Sequence, residues 1–211
     1  TAGFSVVTYT GTGANLTVGH GLGVAPKMII VKERTSVSGW IVQHDSLGWD
    51  KGFLGITTVA ASTSANFSNN TAPTTDVFTL AAYSYGDGTL TRNYVAYCFA
   101  DVEGYSKFGS YTGNGSADGP FVYTGFRPAW IMIKRTDWTN NLGWAIFDNK
   151  RDIDNLVELD LLANSSNAES TVVGLDFLSN GFKLKSNDVT WNTSSGTYIY
   201  MAFAENPFKN S

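Results

Sequence analysis

Tyr9-Thr10-Gly11-Thr12-Gly13 returns as Tyr111-Thr112-Gly113-Asn114-Gly115, 102 positions later. Working outward, Gly3-Phe4-Ser5 returns as Gly104-Tyr105-Ser106, an offset of 101. Pro26 and Lys32 map onto Pro128 and Lys134, bracketing Met28-Ile29-Ile30-Val31 and Trp130-Ile131-Met132-Ile133. Further along, Gly39-Trp40 matches Gly143-Trp144, Phe78-Thr79-Leu80 matches Phe182-Lys183-Leu184, and Phe99-Ala100-Asp101 matches Phe203-Ala204-Glu205. The offset drifts from 101 to 104 and never falls back, as loop-length changes between two copies of one fold would produce. The chain is an internal duplication, with halves expected at 1–102 and 103–211.

Each half is a string of short runs rich in Val, Ile, Thr and aromatics, punctuated by Gly, Asn, Ser, Thr and Pro. That pattern predicts strands. They are expected at 4–10, 27–34, 40–45, 52–60, 76–83 and 93–101 in the first copy. In the second they fall at 106–112, 130–135, 144–147, 157–163, 181–185 and 197–204. Gly86-Asp87-Gly88 and Ser194-Ser195-Gly196 have hairpin-turn chemistry at matching places. From Ile153 to Leu162 the apolar spacing is near-helical, yet the matching segment around Phe53–Val59 is β-branched and broken by Gly55. A helical turn near 153–156 leading into a strand reconciles the two. The expected fold is an all-β sandwich built from two homologous halves. One continuous pair of sheets and two separate sandwiches are equally compatible with the pattern.

Composition narrows the function. Of 211 residues only 15 % are charged while 14 % are aromatic, which excludes a helical bundle, a coiled coil and a disordered chain. A net charge of −4 supplies no field for gathering nucleic acid or anionic lipid. No apolar run approaches the roughly 20 residues of a helical membrane span, and membrane insertion is not expected. Cys98 is the one cysteine, so an intramolecular disulfide is impossible, and its apolar surroundings predict a buried thiol. The chain begins at Thr1 rather than Met, which points to a piece of a longer polypeptide.

Catalytic constellations are missing. There is no Gly-x-Ser-x-Gly elbow, no phosphate-cradling loop and no closely spaced carboxylate pair on a strand. His20, in a glycine-rich turn, reads as a capping residue. The acidic run Asp148–Asn155 is interrupted by Lys150 and Arg151 and reads as a solvated loop rather than a calcium site. No cofactor and no metal is expected. Binding chemistry is better represented. Trp40 and Trp144 are equivalent and read as core, but Trp49, Trp138 and Trp191 lie in turn-like settings without aromatic counterparts. An indole stacks on the apolar face of a sugar while neighbouring carboxylates and amides take its hydroxyls. The candidate ligand residues are therefore Trp49 with Asp50, His44 with Asp45, Trp138 with Asp137, and Trp191 with Asn192. The extra Asn140 and Asn141 favour the second copy as the adapted half.

Taken together, several motifs resemble a domain of bacteriophage tail and tail-fibre proteins, especially of marine phages. They are the Gly-Phe-Ser/Gly-Tyr-Ser openings, the Tyr-Thr-Gly-x-Gly turns, and the glycine turn with Pro before an apolar strand ending in Lys. The Trp strand leading to His44 or Asp148, the Ala-Asn-Ser-Ser stretch at 163–166, Asn180-Gly-Phe-Lys-Leu184 and the Tyr-x-x-x-x-Phe-Ala endings complete the set. The resemblance covers both copies and implies a lectin-like or jelly-roll sandwich in an extracellular virion appendage. It also implies adhesion to a host-surface glycan or receptor and contact with other tail proteins. It brings no catalytic residues. Such fibre modules are commonly trimeric, and the light charge is compatible with a homotrimer. The alternatives are a structural virion spacer and a glycan-degrading enzyme on a sandwich.

Overall fold

The computed structural model describes residues 3–64, 67–82, 92–138 and 142–206. Its strands are β1 (Phe4–Thr10), β2 (Leu16–Gly19), β3 (Met28–Glu33), β4 (Trp40–His44), β5 (Lys51–Leu54), β6 (Ser62–Thr63), β7 (Val77–Leu80) and β8 (Asn93–Phe99). They continue as β9 (Ser106–Thr112), β10 (Phe121–Tyr123), β11 (Pro128–Arg135), β12 (Ala145–Asp148), β13 (Val157–Leu162), β14 (Ser170–Leu178), β15 (Gly181–Leu184) and β16 (Thr197–Ala204). One 3-10 turn, Asp45–Leu47, follows β4, and no α-helix occurs among the described residues. The fold is all-β and sandwich-like, as the sequence predicts.

Two compact units emerge: residues 1–56 with 61–101, and residues 57–60 with 102–211. The first holds a six-stranded sheet, in the order β1-β8-β3-β4-β5-β6, and the two-stranded sheet β2-β7. The second holds one eight-stranded sheet, β10-β15-β14-β13-β12-β11-β16-β9. No sheet spans both units among the described residues. Alternation along the strands explains the cores. In the first unit Ile29, Val31, Ile41, Tyr94, Ala96 and Cys98 meet Val18, Phe78 and Leu80. In the second, Ile131, Ile133, Phe147, Tyr198 and Tyr200 meet Leu175, Phe177, Phe182 and Leu184, so the two ends of the long open sheet fold over one core. Cys98 is fully buried, and that burial pushes its thiol up to about 12, which keeps it inert.

Three expectations need correction. Residues 153–156 form a bend rather than a helical turn, and β13 begins at Val157. The run expected as one strand over 52–60 stops at Leu54, where Gly55 takes a φ of 104°; residues 57–60 then pack within the second unit. Strands β2, β6, β10 and β14 were not foreseen. β14 gives the second unit a long rung where the first unit has the turn carrying Asn69 and Asn70 at positive φ. The Gly86-Asp87-Gly88 turn lies outside the described residues.

The glycine turns have a steric cause. A Cβ on Gly113 would stand 2.2 Å from Thr193 O, and Gly115 sits at a φ of 68°, a region that side chains rarely adopt. Next to this frame, Lys134 is buried with its ammonium donating to Leu142 O at 2.9 Å and Thr58 O at 3.4 Å. Its counterpart Lys32 closes the equivalent loop through Ser38 O at 2.7 Å. Burial, aided by neighbouring Arg135, pulls the Lys134 ammonium down from 10.5 to about 8.

This group makes stability depend on pH. Below pH 8 folded and unfolded chains both hold the Lys134 proton; above it the folded chain releases the proton while the unfolded one keeps it until 10.5. Stability therefore rises with pH above 8. Near 10 the order reverses, because burial first and Tyr198 second hold Tyr111 well above its ordinary 10.0. Urea midpoints should climb from pH 8 to about 9, level off where the Cys98 thiol, held up to about 12 from 9.0, opposes the gain, and fall beyond 10. Lys134→Met should flatten the climb and leave the fall in place.

Candidate functional site

In the first unit the candidates His44, Asp45, Trp49 and Asp50 come together where β4 ends. His44 is buried, and its Nδ1 accepts the Ser46 amide at 3.2 Å, capping the 3-10 turn. Asp148 does this work in the second unit. Its Oδ1 accepts the amides of Lys150 and Arg151, both at 2.9 Å, and its Oδ2 pairs with the Arg151 guanidinium at 2.6 Å. Burial works against the Asp148 carboxylate, but these contacts outweigh it and hold the group below its usual range. Asp45 is engaged on both oxygens, by Lys27 Nζ at 2.8 Å and by Trp49 Nε1 at 3.3 Å. The Trp49 ring is half-buried against the first core, and its carbonyl accepts from Ser68 Oγ. This loop is assembled, but most of its polar groups are already spent on one another.

Trp191 and Asn192 overturn the expectation of an exposed loop pair. Trp191 is 3 % exposed and meets Phe147 edge-on at 5.5 Å, inside the second core. Asn192 is wholly buried. Its Nδ2 donates to Asn114 Oδ1, Ser116 O and Ser186 O at 2.7–3.0 Å, while its Oδ1 accepts the Asn114 amide at 2.9 Å. The polar sequence around them folds inward because one amide satisfies several backbone groups of neighbouring loops. Neither residue can meet a ligand at the surface.

Asp137 and Trp138 are placed differently. Arg135, the last residue of β11, is 5 % exposed; its Nε donates to Asp137 Oδ1 at 2.7 Å. Its guanidinium carbon lies 4.9 Å from the Trp138 ring centroid and 6.0 Å from that of buried Tyr198. Trp138 itself is 43 % exposed. A cation thus backs an indole that remains open to solvent, and a carboxylate stands beside it. Cation–π contact of this kind holds the ring in one orientation. Asn140 and Asn141, which were expected to extend this loop, lie outside the described residues.

A feature not foreseen from sequence occupies the corresponding end of the first unit. Thr8, Tyr9, Thr10, Arg34, Asn93 and Tyr94 line a cleft of about 170 Å³, smaller than a typical small-molecule pocket. In the second unit the matching positions Thr136 and Thr197 lie with their hydroxyl oxygens 2.6 Å apart. The adjoining positions are inverted in charge. Where the second unit has Arg135, the first has buried Glu33, paired with Arg92 at 2.8 Å and accepting from Ser36 at 2.6 Å. Burial opposes the Glu33 charge, but Ser36 and Arg92 outweigh it and hold the carboxyl below its ordinary value. Aligning the two copies at Glu33 and Arg135 was the signal that could have marked this end of each unit.

Residues 1–207 match the family described as a domain of unknown function, DUF7483. The chain belongs to this family. No curated protein and no solved structure matches it. For this DUF7483 chain the described residues bring no group of three or more His, Cys, Asp or Glu into metal-binding proximity. His20 is buried and structural: Nδ1 accepts the Leu22 amide at 3.2 Å, and Nε2 lies 3.2 Å from Thr74 O. Thr124 takes its place in the second unit, with the Phe126 amide donating to its hydroxyl at 3.4 Å.

Chemical unfolding should separate the two kinds of tryptophan neighbourhood. Asn192→Ala strands several buried groups and should cost about 2–4 kcal/mol. Trp138→Ala removes a half-exposed ring and should cost no more than about 1 kcal/mol.

Proposed function

We propose that this chain is an adhesion module of a phage tail or tail-fibre type of virion appendage, holding a glycan on the host surface through Trp138. The observation that carries the reading is the exposed Trp138 indole backed by the Arg135 guanidinium, with Asp137 alongside. A ring held in one orientation loses little freedom when a sugar stacks on it, and a neighbouring carboxylate accepts sugar hydroxyls. The resemblance of the turn and strand motifs to tail-fibre domains supplies the setting: an extracellular particle surface, with host glycan and other tail proteins as partners. Binding rather than catalysis is the activity proposed, and neither nucleic acid nor a membrane interior is among its partners. A second reading, a virion spacer without a receptor, draws on the polar residues of both units that are spent internally, Asp45, His20 and Asn192 above all.

The test is binding of the tagged whole chain to intact candidate host cells, with and without excess surface polysaccharide. Saturable binding that polysaccharide competes away is expected, and Trp138→Ala should weaken it at least about tenfold while costing no more than about 1 kcal/mol of stability. Equal binding by the variant would remove Trp138 from the site. Folded protein that binds no cells would favour the spacer.

A further inference from the structure

We infer that β1 is a pairing edge, and that its occupant is the β1 strand of a second copy of this chain, joined antiparallel across a two-fold axis. β1 is the outermost strand of its sheet. Ala100 donates to Gly3 O and Gly11 donates to Arg92 O, and β1 and β8 keep an unbroken antiparallel register between those points. The odd-numbered residues of β1 therefore face β8 with their backbone groups. The amides and carbonyls of Phe4, Val6, Thr8 and Thr10 point the other way, along an edge with no strand beyond it among the described residues.

Exposed edges of this length are normally blunted by charge, proline, a bulge or brevity. β6 and β10 are two and three residues long. β9, the counterpart of β1, carries Lys107. Phe4-Ser5-Val6-Val7-Thr8-Tyr9-Thr10 has none of these devices. The outer face tells the same story: Phe4 and Val6 are 44 % and 51 % exposed, whereas Ser106 and Phe108, at the same positions of β9, are 2 % and 5 % exposed. Phe4 lies tilted against Phe99 at 4.8 Å, and Tyr97 lies 6.3 Å from Trp40, so the uncovered surface is broad and apolar.

A second copy fits this edge for an electrostatic reason. Self-pairing brings the residues near the axis towards their own images, so a charge there would repel itself; this uncharged strand escapes that cost. Centred on Val7, the pairing sets Phe4 against Thr10 of the second copy and Val6 against Thr8 of the second copy. The outward-facing backbone groups named above then become the hydrogen-bonded pairs. The apolar first half of the strand meets the threonine methyls of the other, and the two Val6 side chains become diagonal neighbours.

Sedimentation equilibrium of the whole chain from about 1 to about 100 μM tests this. A reversible dimer is expected. Val6→Pro removes an amide hydrogen that β8 does not use, so the internal ladder should survive, with unchanged circular dichroism and unfolding midpoint. Its dimer dissociation constant should rise at least about tenfold. Should that variant fail to fold, Val6→Lys places two ammonium groups near the axis and should have the same effect, relieved by salt. A monomer throughout the range, a trimer, or a dimer that a folded variant leaves intact would overturn the inference. None of these outcomes bears on glycan binding at Trp138.

Discussion

A stacked tyrosine pair recurs in each unit, one ring within the core and the other packed against it. Tyr9 lies against Tyr94 at 5.1 Å and Tyr111 against Tyr198 at 4.9 Å, with rings within 10° and 11° of parallel. In both units a phenylalanine from the opposite layer meets the first tyrosine edge-on, Phe78 at 6.4 Å and Phe182 at 6.1 Å. Each pair spans two directly opposed residues of antiparallel strands, in lateral contact across the sheet. Fixing that contact fixes the register, and a slip of one residue would turn every apolar side chain of the outer strand to the wrong face. The cores, the outward groups of β1 and the placement of Arg135 beside Tyr198 all follow from it.

Much of this frame was legible in the residues. Strands 4–10, 106–112 and 197–204 were readable to the residue because β-branched and aromatic residues fill them and glycine or a charged residue stands at or next to their ends. β2 and β10 were not, being short and set among the same Gly, Ser and Thr residues that mark turns. β14 was hidden because its counterpart in the first copy is a turn, so comparison of the copies argued against it. The site was harder still. Trp138 and Trp191 both have polar neighbours in sequence; what separates them is that Asn192 makes four hydrogen bonds inside the fold, to Asn114, Ser116 and Ser186, while Asp137 finds Arg135 at the rim. Satisfaction of polar groups is a property of the assembled loops, and local composition does not encode it.

Duplication has also left the same backbone requirement met by unlike chemistry. A buried imidazole caps one turn where a hydroxyl caps its twin, as at His20 and Thr124, and His44 is replaced by Asp148. Glu33 and Arg135 take opposite charges at one position, each neutralised by a different neighbour. Structural equivalence has been kept at the level of hydrogen-bond geometry while charge has been free to diverge, which is how two copies of one fold come to present different surfaces.

Residues 57–60 belong in space to the second unit, although the sequence writes them in the middle of the first. Their carbonyls receive the Trp144 indole N–H at 3.1 Å and the Lys134 ammonium at 3.4 Å. The second half is thus written in two separate places along the chain. Its inheritance is bound to that of its neighbour: a recombination event at the repeat boundary would deliver a half without the Thr57 carbonyl that takes the Trp144 indole N–H, and with Leu142 O but not Thr58 O against the Lys134 ammonium. A fusion or truncation that is to keep the second unit intact must therefore carry residues 57–60 with it.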